Sequence, residues 1–94
     1  MIDILLSTYN GGCFLREQLD SLLAQSYTDW RLYVRDDGSV DGTLERIREY
    51  CEQYPGKIQE YRDELGNIGS MRSFEELLKH CASGEYVMFC DQDD

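Results

Sequence analysis

Positive charge is scarce in these 94 residues: nine Lys and Arg stand against nineteen Asp and Glu, a formal net charge of −10. A nucleic-acid binder needs a cationic surface to displace counterions from phosphates, so that class of partner is excluded. An anionic membrane would repel the chain as a whole, and an anionic small substrate would need a metal ion or a local cationic patch. Long apolar runs are absent too, and none approaches the roughly 20 residues that span a bilayer. Met1-Ile2-Asp3 opens directly into a strand-like run with no basic segment before an apolar stretch, so no signal peptide is expected. Cys13, Cys51, Cys81 and Cys90 form no close pair and no metal-finger spacing. They read as free thiols acting as small hydrophobes, which suits a reducing cytoplasm. His80, the single histidine, lies near a predicted helix C-terminus where it suits the dipole, and it receives no catalytic role.

Three common sites are missing as well. No G-x-G-x-x-G follows the first strand-like run, which disfavours a dinucleotide-binding dehydrogenase, and no G-x-x-x-x-G-K-[ST] loop supports a P-loop ATPase. No G-x-S-x-G supports a hydrolase nucleophile elbow.

What is present is a regular alternation. Ile2 to Ser7 is short, apolar and β-branched, and ends in Asn10-Gly11-Gly12, which predicts a buried strand and a turn. Leu15, Leu19, Leu22 and Leu23 predict a helix from about Cys13 to Gln25. Trp30 to Arg35 is a second strand, stopped by Asp36-Asp37-Gly38-Ser39; Asp41 can cap a helix whose Leu44, Ile47 and Cys51 share a face. A weak strand, Lys57 to Tyr61, follows Pro55-Gly56, and a charged, glycine-bearing loop runs from Arg62 to Gly69. Met71, Phe74, Leu77, Leu78 and Cys81 repeat at helical spacing, Ala82-Ser83-Gly84 ends that helix, and Glu85 to Cys90 is a fourth strand. The order βαβαβαβ predicts an α/β, Rossmann-like, mainly parallel sheet with right-handed crossovers. Ninety-four residues make one small domain or part of a larger one.

Three polar motifs each follow a strand directly: Ser7-Thr8-Tyr9-Asn10, Asp36-Asp37-Gly38-Ser39 and Asp91-Gln92-Asp93-Asp94. In a parallel sheet they emerge on one edge, the edge where open α/β sheets bind ligands at the reversal of strand order. If the first strand neighbours both the second and the fourth, the crevice lies among these motifs. The three carboxylates of the last motif repel one another unless a cation sits among them, and a hard divalent ion takes carboxylate oxygens while leaving positions for phosphates. The competing reading is a solvated acidic turn. One carboxylate of Asp36-Asp37 could accept the imide N–H of a pyrimidine while the other holds the loop. Tyr9 offers a stacking face, or covers the sheet edge. Ser7 and Thr8 could reach a base or satisfy local backbone. Arg72 stands out as a cation in the first turn of a helix, either an exposed arginine or a phosphate contact.

Together these motifs resemble the family 2 glycosyltransferases of the GT-A fold. The similarity runs through Ser7 to Asn10, Gln25-Ser26-Tyr27, Asp29-Trp30, Asp36 to Thr43, Asn67-Ile68-Gly69 with Arg72, and Gly84-Glu85-Tyr86 before Asp91 to Asp94. The Asp91-Gln92-Asp93-Asp94 form, with Ser73-Phe74 after Arg72, resembles the bacterial rhamnosyltransferase-like branch. Many members carry asparagine at the position of Ser73, which puts that side chain's contacts in question.

The resemblance implies an inverting, metal-dependent transferase using a nucleotide-diphosphate sugar, of which this chain is the donor-binding half. A saccharide or lipid-linked acceptor in polysaccharide synthesis is implied as well. By position, Ser7, Thr8, Tyr9 and Asp37 would hold the nucleoside, Arg72 would lie against the nucleotide, and Asp91 would approach the ribose or sugar. Asp93, assisted by Asp94, would hold Mg²⁺ or Mn²⁺. The general base of the family lies beyond the segment corresponding to Asp94, so the chain reads as the amino-terminal piece of a longer cytoplasmic protein that works at the inner face of the membrane. Two other readings stand beside this one: a non-catalytic nucleotide-binding or regulatory module, and a receiver-like phosphotransfer domain.

Overall fold

The computed structural model describes residues 2–10, 12–25, 29–81 and 86–91, with backbone alone at 12–14, 70 and 89–91. Its elements alternate in the expected order: β1 (Ile2–Thr8), α1 (Gly12–Leu23), β2 (Trp30–Asp36), α2 (Thr43–Gln53), β3 (Ile58–Glu60), α3 (Ser70–Cys81) and β4 (Tyr86–Asp91). All strand pairings are parallel, and the order across the sheet is β3-β2-β1-β4. β1 is therefore flanked by β2 and β4, the condition under which the three motifs share a crevice. The expected strand from Lys57 to Tyr61 narrows to three residues, yet its flanks are still bonded: Leu32 N donates to Lys57 O and Tyr61 N to Val34 O, each at 2.8 Å.

Side-chain alternation divides the sheet into two chemically different faces. Ile4, Leu6, Trp30, Leu32, Val34 and Ile58 point to one face and pack with Leu15, Leu19 and Leu22 of α1 and Ile47 of α2 in a continuous apolar core. Each fully buried leucine there contributes roughly 1.5–3 kcal/mol relative to exposure. The opposite face carries Leu5 but also Ser7 and Arg35, and α3 covers it with Leu77 and Ser73, both fully buried. This second face is where the apolar stripe expected on α3 departs from observation. Met71 and Leu78 are exposed at 75% and 45%. The helix turns Ser73 inward instead, because the sheet beneath it presents a polar pair.

The start of α2 also differs from expectation. Gly42, in a left-handed conformation, occupies the cap position. Asp41 acts from one residue further out, accepting from the Thr43 backbone N–H at 3.1 Å. Cys51 and Cys81 are free and half-buried, and burial pushes both thiols above their ordinary range, which keeps them as poorly reactive packing groups. Cys13 and Cys90 lie outside the described side chains. Among the described residues no helix is long and apolar enough to cross a membrane.

Candidate functional site

The register of β1 fixes the site. Thr8 stands opposite Asp36 on β2, and Ser7 opposite Asp91 on β4, so the ends of the three strands are level along one edge. The loops beyond β1 and β2 are then tied to each other. Asn10, the one described non-glycine residue with positive φ (49°), donates its backbone N–H to Ser39 Oγ at 2.7 Å and accepts the Val40 N–H on Oδ1 at 2.9 Å. Asparagine tolerates this left-handed geometry better than most residues, and here its side chain bonds across to the neighbouring loop. The Asp37 N–H donates to Thr8 O at 2.7 Å and completes the junction.

Both carboxylates of the Asp36-Asp37 pair are engaged, in different tasks. Asp36 Oδ1 accepts the Thr8 hydroxyl at 2.9 Å, and Oδ2 accepts the Ser39 N–H at 2.9 Å, shaping the turn at Gly38. Gly38 itself has φ of 86°, a left-handed conformation that glycine adopts without a Cβ penalty, and the turn rests against Asn67. Asp37, 4% exposed, accepts the Ile68 N–H on Oδ1 at 2.9 Å and the Gly69 N–H on Oδ2 at 3.0 Å. Oδ1 also takes Arg35 Nη1 at 2.7 Å. A carboxylate offers about four acceptor positions, and the bonds among the described residues fill two on Oδ1 and one on Oδ2.

Arg35 is the site residue that the motifs alone did not indicate. It is 2% exposed, and each of its N–H groups finds an acceptor. Nε and Nη2 form a fork with Asp63 at 2.7 and 2.9 Å, Nη2 also reaches Gly66 O at 2.9 Å, and Nη1 bonds Asp37 Oδ1 at 2.7 Å and Ser73 Oγ at 3.1 Å. The hydrogen bond to Asp63 raises the guanidinium further above its ordinary range, and in return Arg35 draws the Asp63 carboxyl below its own. Ser73 also accepts the Ser7 hydroxyl at 2.7 Å. The contacts of Ser73 are thereby identified: it joins β1, β2 and α3 at one buried point. A signal was present in the sequence, since Arg35 and Asp37 stand two apart at a strand end and so share a face.

The expected site residues thus fall into groups. Ser7 and Thr8 are buried and bonded inward, to Ser73 and Asp36. Tyr9 is 47% exposed at the edge, and Arg72 is exposed on the first turn of α3 without a salt bridge among the described residues. Asp91 is placed by its backbone at the end of β4, opposite Ser7. Asp93 and Asp94 lie outside the described residues, and the described ones contain no cluster of metal-binding side chains. A cleft of about 260 Å³ opens at the same edge on the β3 side, between Asp36, Gly38, Tyr61 and Asp63. A larger hollow of about 440 Å³ beside Cys51 and Ile58 shares Arg48, Glu60 and Arg62 with that cleft, and no motif residue lines it. His80 stacks on Tyr61 with ring centroids 5.6 Å apart and meets Glu76 at 3.3 Å, a surface packing role.

Comparison with known proteins gives a consistent picture. The family model described as glycosyl transferase family 2 matches residues 3–94. The putative glycosyltransferase EpsE of Bacillus subtilis is 33% identical over 99% of this chain and 33% of its own length. The dTDP-rhamnosyl transferase RfbG of Shigella flexneri is 34% identical over 95% of this chain and 32% of its own. Among solved structures, the Pyrobaculum calidifontis mannosyltransferase PcManGT, in complex with GDP-Man and Mn²⁺, superposes with a TM-score of 0.84 at 30% identity. That superposition covers 98% of this chain and 27% of the mannosyltransferase. The chain spans about a third of the length of the curated relatives it matches.

Proposed function

The chain belongs to glycosyl transferase family 2, and on that premise we propose that it forms the donor-binding half of an inverting, metal-dependent glycosyltransferase acting on a nucleotide-diphosphate sugar. The observation that carries this reading is the strand order β3-β2-β1-β4, with Ser7 level with Asp91 and Thr8 with Asp36. Ligands of such sheets bind outside the carboxyl ends where the order reverses, which here is the β1–β4 boundary.

The residues divide the work by their exposure and remaining valence. Tyr9 supplies a face for the base, and the open position on Asp37 Oδ2 accepts one N–H from the base edge. Ser7 and Thr8 define the floor from beneath through Ser73 and Asp36. Arg72, an exposed cation on an acidic chain, meets the nucleotide phosphates, and Asp91 approaches the ribose or sugar. Asp93 and Asp94 supply the carboxylate oxygens that suit Mg²⁺ or Mn²⁺. A bound divalent ion offsets the charge that develops on the leaving diphosphate. Transfer itself, to a saccharide or lipid-linked acceptor in polysaccharide synthesis, is assigned to the whole protein, because the two relatives described above are about three times as long as this segment.

Calorimetric titration with UDP, dTDP and GDP, with and without Mn²⁺, tests the reading. At least one nucleotide is expected to bind in a Mn²⁺-dependent way, and Asp93→Ala is expected to remove that dependence. Binding that ignores both the metal and Asp93→Ala would rule the assignment out.

A further inference from the structure

We propose that Arg35 is the positioning residue of this donor site: through Asp63, Gly66 and Ser73 it holds the Asp37 carboxylate and the 63–69 loop in the one arrangement that leaves a single acceptor free for the base. The proposal rests on the donor-site reading given above and deepens it by naming what sets the geometry of the base-contacting group.

Three observations carry it. First, every N–H of the guanidinium, which at 2% exposure lines the cleft of about 260 Å³, is already given to a separate protein acceptor, so none is left to donate to a ligand. Such a group acts on a ligand only through its neighbours. Second, those neighbours come from four parts of the chain: Asp37 just after β2, Asp63 and Gly66 in the loop after β3, Ser73 on α3 and, through Ser73, Ser7 on β1. Third, the loop that Arg35 draws in at Asp63 and Gly66 is the one whose Ile68 and Gly69 N–H groups occupy Asp37. Arg35 therefore fixes both the acceptor and the donors that saturate it. Release of the loop would free those positions on Asp37 and let the carboxylate turn, so that the direction of its remaining lone pair would no longer be set. The planar fork that spans Asp63 and reaches Asp37 cannot be reproduced by lysine, whose ammonium is a point charge.

The consequence is specific to the base half of the donor. A nucleoside diphosphate engages Asp37 through its base, whereas inorganic pyrophosphate carries only the phosphate and metal contacts. In the full-length protein, Arg35→Gln is expected to weaken binding of the preferred nucleoside diphosphate in Mn²⁺ by roughly tenfold to a hundredfold, the scale that small misplacements of a positioned group produce. Pyrophosphate affinity should stay within about twofold, a difference too small to mark loss of a contact. Arg35→Lys should show the same split. A donor KM raised with kcat nearly unchanged is the corresponding steady-state signature.

A folded Arg35→Gln that binds the nucleotide as the wild type does would overturn the proposal. Equal losses for nucleotide and pyrophosphate would overturn it too, since they mark general structural damage. Should Arg35→Gln fail to fold, the isosteric Asp63→Asn decides by the same ratio, and an unchanged ratio counts against the role. A wild-type protein that binds none of the nucleotides sinks the donor-site reading and this proposal together, whereas retained binding in the variants sinks this proposal alone.

Discussion

Arg35, near the end of β2, and Asp37, just beyond it, are 2.7 Å from each other and nearly sealed from solvent. Deleting one member of a buried ion pair leaves the other uncompensated, and typically costs about 3–5 kcal/mol. Asp37→Ala leaves Arg35 its pairing with Asp63, so it should lose less than that in urea denaturation, about 1–3 kcal/mol, the range for a buried polar group deprived of its partner. Asp63 adds a pH dependence of predictable sign. Its folded-state carboxyl lies below the ordinary range, chiefly through the hydrogen bond from Arg35. The stabilisation is fully present above the unfolded value of about 3.9 and is lost as pH falls through the lower folded value, because the unfolded chain takes up the proton first. Thermal melts from neutral pH to below pH ~4 should show an acid limb. Asp63→Asn should flatten it while lowering stability at neutral pH.

At the scale of elements, α3 and the β1–β2 loop junction give contrasting tests. Leu77 is fully buried against the sheet whereas Leu78 beside it is 45% exposed. Leu77→Ala should cost about 3 kcal/mol, within the range for buried leucine truncation. Leu78→Ala should stay within about 0.5 kcal/mol, as surface changes do. Equal effects on the denaturation midpoint would mean that the helix presents a different face. Asn10→Gly keeps the backbone freedom but deletes the acceptor for the Val40 N–H. It should therefore cost about 1 kcal/mol, the worth of one hydrogen bond, while Asn10→Ala adds the left-handed backbone penalty of about 1–2 kcal/mol.

The same elements show what a sequence can disclose. Helix and strand periods are local, so βαβαβαβ and the common edge of the three motifs were legible from spacing alone. The meaning of Arg35 was not, because its partners Asp63 and Ser73 lie 28 and 38 residues away. The inward turn of Ser73 was not legible for a related reason: a hydropathy stripe ranks Met71 and Leu78 above a serine. The helix rotates to satisfy the guanidinium below it, and hydropathy contains no term for a polar partner across the sheet.

At the scale of the whole chain, the formal charge is −10 on 94 residues. A nucleoside diphosphate, the ligand proposed above, is itself anionic, so the long-range field of this chain opposes its approach, and the contact proposed for Arg72 would act only at close range. Repulsion of this kind is felt over about a Debye length, roughly 10 Å at 0.1 M salt. Raising ionic strength should therefore speed, not slow, the association of metal-free nucleotide, by roughly two- to fivefold between about 20 and 200 mM salt. With Mn²⁺ on the diphosphate the ligand carries less charge, and the dependence should flatten. Stopped-flow binding of a fluorescent nucleoside diphosphate measures both slopes. A rate that falls with added salt would mean that Arg72 and its surroundings dominate the field at the crevice. In that case the cationic patch rather than the divalent ion would be the main answer to the acidity of this chain.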